Sequence, residues 1–237
     1  MKNILLTIAA LLAVVFSLQA QENGNTMIII SYNGDIYRKA VKDVKEVLFV
    51  DVKSEDYVDL GLPSGTLWAI CNVGASSPYD AGSLFAWGET SPKQDYSLDN
   101  YKWYNTATGK YTKYISDVDN KTELELDDDA ASVNCGKVWR MPTKAQFDEL
   151  LAGCTWEWKF TGILFTSNYN DKTIFFPAVR YPHDGLPPGL SVKFGHYWSR
   201  SNDNDRFAYY LNFDSGDVKT DFDHRYNEMS VRAVLVP

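Results

Sequence analysis

The sequence predicts an α+β domain, and three observations predict it. Phe207, Tyr209, Leu211 and Phe213 alternate with Ala208, Tyr210 and Asn212, the period of two that marks a half-buried strand. The run Lys144 to Leu151 carries Phe147, Leu150 and Leu151 at helical spacing, and Thr143 with Gln146 ahead of it reads as a capping box. Around these lie many short β-rich runs, two short helices and long polar loops, a mixture of strands and helices without βαβ alternation.

From the N-terminus, Lys2, the apolar run Ile4 to Phe16 and Ser17-Leu18-Gln19-Ala20 have the form of a secretory signal peptide over residues 1–20. The run is too short and wrongly flanked for a membrane span, and no later stretch approaches the ~20 apolar residues that a transmembrane segment needs. No Cys follows the cleavage region, which argues against a lipoprotein. The expected setting is therefore export, to the cell surface, the extracellular space or the periplasm. Residues 21–54 read as a small three-stranded β module and linker: Met27 to Tyr32, a tight turn at Asn33-Gly34, Asp35 to Ala40, one helical turn over Val41 to Lys45, and Glu46 to Val50. This unit has little with which to close a core. It pairs with the main domain, with a partner, or with nothing.

The main domain is expected over residues 55–237. Strands are expected at Leu67 to Val73, Ser83 to Trp87, Thr155 to Phe160, Gly162 to Thr166, Thr173 to Pro177, Tyr197 to Ser199, Phe207 to Phe213, Val218 to Phe222 and Ser230 to Val236. Pro142 holds Met141 extended, so the chain enters the Lys144 helix from a strand carrying Trp139 and Arg140. Asp127 to Asp129 suit the start of a second short helix. Thr90 to Glu125 is a long, Tyr-rich polar stretch, and Asp184 to Gly189 is a loop.

Composition excludes several functions. A net charge of −8 disfavours nonspecific binding to nucleic acid or anionic membranes. There is no hydrolase or redox signature of the Gly-x-Ser-x-Gly, His-Glu-x-x-His or Cys-x-x-Cys kind, and His183, His196 and His224 have no ligand spacing. Asp117-Val118-Asp119-Asn120-Lys121 opens like a calcium loop, but Thr122 stands where glycine belongs and Lys121 takes a ligand position. Neither metal nor cofactor is expected. All seven Trp lie between Trp68 and Trp198; Trp68, Trp87, Trp139, Trp156 and Trp158 are expected in the core, and Arg140 and Arg232 as buried, paired structural arginines. Three cysteines, Cys71, Cys135 and Cys154, allow one disulfide in three pairings or three buried thiols.

Asp59-Leu60-Gly61-Leu62-Pro63-Ser64-Gly65-Thr66-Leu67-Trp68-Ala69, Cys71-Asn72-Val73-Gly74-Ala75, Phe85-Ala86-Trp87-Gly88-Glu89-Thr90, Trp139-Arg140-Met141-Pro142-Thr143, Phe175-Phe176-Pro177-Ala178, Tyr197-Trp198-Ser199 and Ser230-Val231-Arg232 occur in this order. Together they resemble the Fibrobacter succinogenes major paralogous domain family. The resemblance implies a C-type lectin-like domain, similar also to formylglycine-generating enzymes, with twisted antiparallel strands, two short helices and long loops. It implies an envelope or secreted setting, sometimes as an adhesin module. It also implies a Cys71–Cys154 disulfide, since both stand where the family often has Cys. The chain departs from the pattern at Cys135, where Trp is usual, and at Ala233, where Pro is usual. It lacks the late cysteine pair of formylglycine-generating enzymes and the calcium motifs of sugar-binding lectins, so neither activity carries over.

The candidate ligand face comprises Arg200, Asn202, Asp203, Arg206, Tyr210, Asn212, Asp217, Lys219, Asp221, His224, Tyr226 and Asn227. Tyr and Asn combine stiff contact area with adaptable hydrogen bonding; an ordinary solvated set of β-turns is the competing reading. The expected function is non-enzymatic binding or adhesion to a glycan or a surface protein. The alternative is a structural or assembly component of a cell-envelope complex, paired through the N-terminal strands.

Overall fold

The computed structural model describes residues 56–178 and 194–235, together with the backbone of three strands nearer the N-terminus. The chain divides into two compact units, Met1–Asp51 and Val52–Pro237. In the first, β1 (Ser17–Ala20), β2 (Thr26–Ile30) and β3 (Ile36–Ala40) form an antiparallel sheet in that order. Ile30 lies opposite Ile36, so the two runs flanking Asn33-Gly34 pair with each other. The third strand comes from the stretch read as the cleavage region; Glu46 to Val50 and the helical turn before it lie outside the described residues, as do His183 and the Asp184 to Gly189 loop.

The second unit is mixed α+β and mostly strand, the class the sequence predicts and compatible with a lectin-like fold. In chain order it holds β4 (Tyr57–Asp59), β5 (Leu67–Asn72), β6 (Leu84–Phe85), β7 (Tyr104–Asn105), β8 (Lys110–Tyr111), α1 (Ala130–Cys135), α2 (Lys144–Gly153), β9 (Cys154–Lys159), β10 (Gly162–Ser167) and β11 (Thr173–Pro177). After these come β12 (Phe194–Asn202), β13 (Phe207–Asp214), β14 (Val218–His224), β15 (Met229–Ser230) and β16 (Arg232–Leu235). A five-stranded sheet runs β14-β13-β12-β15-β6; beside it are β16-β5-β4, β11-β10-β9 and the small hairpin β7-β8.

Helix α2 forms where its sequence places it. Thr143 Oγ1 accepts from the Gln146 N–H at 3.1 Å while the Gln146 side chain accepts from the Thr143 N–H at 2.8 Å, satisfying orphan donors at both positions. Phe147 and Leu150 are fully buried on its inner face. Helix α1 is capped by Asp129 alone, whose carboxylate accepts from the Ser132 N–H; Asp128 beside it turns to other partners.

Two cores lie on opposite sides of the central strands, which explains why these strands are apolar almost throughout. Trp198 and Tyr210 point into a cluster with Trp87, Trp139 and Met141; their neighbours Tyr197 and Leu211 point into another with Trp68, Phe147 and Phe176. Successive side chains of a strand face opposite ways, so each strand serves both clusters. Gly195 lies opposite Phe213, and the Phe213 ring covers its backbone so closely that a Cβ there would collide with the ring.

Several expectations need correction. Trp156 is 36% exposed and Trp158 is half-buried against Phe213: both share the face of the buried Phe165 and Ile163, but they stand on the edge strand β9, where of the two only Trp158 packs against the core. Arg232 is fully buried without a carboxylate: it donates to the carbonyls of Ala69, Ile70 and Phe175 and to Asn72 Oδ1. Arg140 has the carboxylate, Asp129 at 3.0 Å, but remains partly exposed. The three cysteines stand as free thiols, Cys71 half-buried, Cys135 exposed and Cys154 buried, so the Cys71–Cys154 bridge is not formed. Burial pushes the Cys154 thiol up to about 11.

Candidate functional site

The site begins with an irregularity in β12. Its register against β13 shifts between Trp198 and Asn202, and pairing resumes with Asn202 opposite Ala208. The same stretch also bonds to the end of the long polar segment: the Leu124 N–H donates to Arg200 O, and the Asn202 N–H to Thr122 O. Asn202 Nδ2 adds bonds to the carbonyls of Tyr114 and Lys121.

A buried cation fixes the same loops from beneath. Arg225, fully buried, donates to the carbonyls of Lys113, Tyr114 and Asp205 and to the Tyr101 hydroxyl, and its guanidinium lies 4.9 Å from the Trp87 ring centroid. Asp205 reaches across to accept from the Ser116 N–H at 2.9 Å. Asp119, from the calcium-like stretch, accepts from the N–H groups of Tyr114, Ile115 and Lys121; it closes a turn. Asp128 binds Lys102, Lys113 and the Tyr114 hydroxyl. Burial raises its pKa, but these partners outweigh burial and hold it below the usual carboxylate value.

Together these bonds leave an open polar cleft of about 510 Å³, lined by Ser116 and Asn120 to Thr122 on one side and Asn202 to Arg206 on the other. Next to it the first rung of the β13–β14 hairpin pairs Phe207 with His224. These rings belong to a band: Phe222 and Phe207 at 5.6 Å between centroids, Phe207 and His224 at 4.5 Å, His224 and Tyr226 stacked at 5.0 Å. Phe222 is half exposed and the other three are partly exposed. His224 Nδ1 is buried without a hydrogen-bond partner.

The twelve sequence-predicted residues do not form one face. Asn202, Asp203 and Arg206 line the cleft, and His224 and Tyr226 belong to the aromatic band. Tyr210 is excluded: it is buried in the core against Trp198, because strand alternation turns it inward. Asn212, Lys219 and Asp221 share Tyr210's side of the sheet, opposite to the band. On that side His196 is drawn down to about 4 by burial, partly offset by its bond to Asn212. Arg200 is tied to Glu123 at 2.9 Å, Asp217 sits in the exposed β13–β14 turn, and the Asn227 N–H closes a turn onto His224 O.

Sequence reasoning missed Phe207, Tyr209 and Phe222 as surface groups, since alternation with buried Leu211 and Phe213 made them look like core. Helix α2 covers only one end of that face, leaving the other open. It also missed Arg225 and the far wall of the cleft, which no local pattern marks. Among the described residues, no group of three His, Cys, Asp or Glu side chains could hold a metal ion, and no helix is long and apolar enough to cross a membrane. Comparison with family models, curated proteins and solved structures returned no match.

Proposed function

We propose that the Val52–Pro237 unit is a non-enzymatic recognition module that binds a glycan chain along the aromatic band and the cleft beside it. The observation that carries this reading is the band itself, four rings in succession on one edge of a two-stranded hairpin that a helix and two cores hold rigid. Sugar rings offer C–H faces that pack on aromatic faces, while their hydroxyls need fixed donors and acceptors nearby. The cleft supplies the second requirement. Its loops are already cross-bonded, so little ordering entropy is lost on binding. The family resemblance, which includes envelope and adhesin modules, supports an exported setting.

Glycan-array screening followed by calorimetry tests the reading with the Phe222→Ala/Tyr226→Ala variant. Each ring contributes about 1 kcal/mol of stacking, so the pair should weaken binding by more than tenfold while the melting temperature stays near wild type. Undiminished binding by the folded variant removes the band as the site.

A further inference from the structure

We infer that the ligand of this site bears carboxylate groups, as a uronate-containing glycan does, and that Arg206 is its anion contact; the inference rests on the glycan reading above. Its ground is the state of the arginines. Arg140 and Arg200 are held by Asp129 and Glu123, and Arg225 and Arg232 by backbone carbonyls. Among the described residues, Arg206 alone has a guanidinium with neither a hydrogen bond nor an ion pair, and it is exposed in the wall of the cleft.

The other charged groups of the cleft, and Asn204 among its amides, are already engaged. Asn204 Oδ1 accepts from the Arg206 and Phe207 N–H groups, its Nδ2 donates to Asp203, and Asp205 is bound to Ser116. Lys121 is held by Glu125. The carboxylates of Asp203 and Asp205 are matched in number by Arg206 and the buried Arg225, so the protein's overall negative charge is not concentrated in the cleft. Arg206 precedes Phe207 in the chain, and its carbonyl accepts from the N–H of Arg225, the residue between His224 and Tyr226, so it joins the cleft to the band. A glycan that occupies the rings and the cleft together therefore meets at Arg206 a planar, fork-shaped donor that carboxylates fit in a bidentate way. A neutral glycan would leave that fork unused.

Titration calorimetry with oligomers of galacturonate, glucuronate and mannuronate, each beside its methyl ester and beside neutral glucans, tests this on the full chain. Wild type should bind at least one acid form roughly tenfold more tightly than its ester at low salt, with the preference shrinking as salt is raised. Arg206→Gln should abolish the preference with an unchanged melting temperature, and Arg206→Lys, which keeps charge without the fork, should restore only part of it. Equal binding of acid and ester, or binding of neutral chains alone, overturns the carboxylate assignment and leaves the glycan reading standing. An acid preference that survives Arg206→Gln overturns Arg206 as the contact. No binding to acidic, esterified or neutral chains overturns both readings.

Discussion

The helix side of the domain and its loop side are held together by different chemistry. Around α2, closure is apolar: Phe147, Leu150, Trp68 and Phe176 interlock, and the helix is delimited by its own cap. Around the cleft, residues 90–125 contain little regular structure and are fixed at a few points by charge: Arg225 on three carbonyls, Asp128 on two lysines and a tyrosine, and Arg140, itself held by Asp129, on the Leu124 carbonyl. Apolar packing is non-directional and tolerates small shifts, whereas a buried ion fixes the atoms it touches. The cleft lies on the side that has the second kind of support.

The sharpest way to separate the two is to break each at its centre. Phe147→Ala should cost about 3–5 kcal/mol through lost burial and a cavity. Arg225→Met should cost a comparable amount, about 3–5 kcal/mol, by stranding the carbonyls of Lys113, Tyr114 and Asp205. Urea unfolding measures both. Hydrogen exchange distinguishes them: Arg225→Met should lose protection at residues 113–116 and 203–206 first, while Phe147→Ala should weaken the domain without singling out those loops. Equal local protection in both variants would sink the contrast.

A smaller effect is expected from Asp128→Asn, about 2 kcal/mol at neutral pH through weakened bonds to Lys102, Lys113 and Tyr114. The sign with pH follows from linkage. The folded pKa lies below the ordinary 3.8, so the contribution of the carboxylate is fully present above that value and is lost as the pH falls through the folded pKa. Melting temperatures of wild type and variant should therefore differ at pH 7 and converge below pH 3.8. A constant gap down to strong acid would show that charge is not what Asp128 contributes.

The same contrast decides what could be read from the sequence. The α2 side was legible because its signals are local: a Thr143–Gln146 cap and Phe147 and Leu150 at helical spacing. The β13–β14 hairpin was legible as strands, but not in its exposure. Phe207 and Tyr209 alternate in phase with Leu211 and Phe213, and only the placement of α2 over one end of that face leaves the first two open while the last two are buried. The same strand turns Tyr210 into the opposite core. Arg225 left no trace, since its partners lie 20 to 124 residues away and three of them are backbone carbonyls. Of the proposed ligand groups, His224, Tyr226 and Arg206 were found through residue type, and the cleft wall from residues 116–122 was not.

The smallest change in stability and the largest in behaviour are expected at the free edge of the five-stranded sheet. Among the described residues, strand β14 pairs with β13 alone, which leaves a seven-residue edge able to recruit another strand. Two of its amides are already occupied: the Phe222 N–H donates to Asp221 Oδ1 at 2.9 Å and the His224 N–H to Asp223 Oδ1 at 2.7 Å. Each aspartate thus covers the amide that follows it and adds charge to the edge, so an incoming strand finds neither donor free. Asp221→Ala/Asp223→Ala should change unfolding free energy by no more than about 0.5 kcal/mol, as surface substitutions do, yet should raise the sedimentation coefficient with concentration as edges pair. Asp221→Asn/Asp223→Asn removes the charge and keeps an acceptor at each position. If the Asn variant sediments like wild type while the Ala variant associates, occupied amides guard the edge; if both associate alike, charge does; and if neither associates, β14 has no tendency to pair and the two aspartates guard nothing.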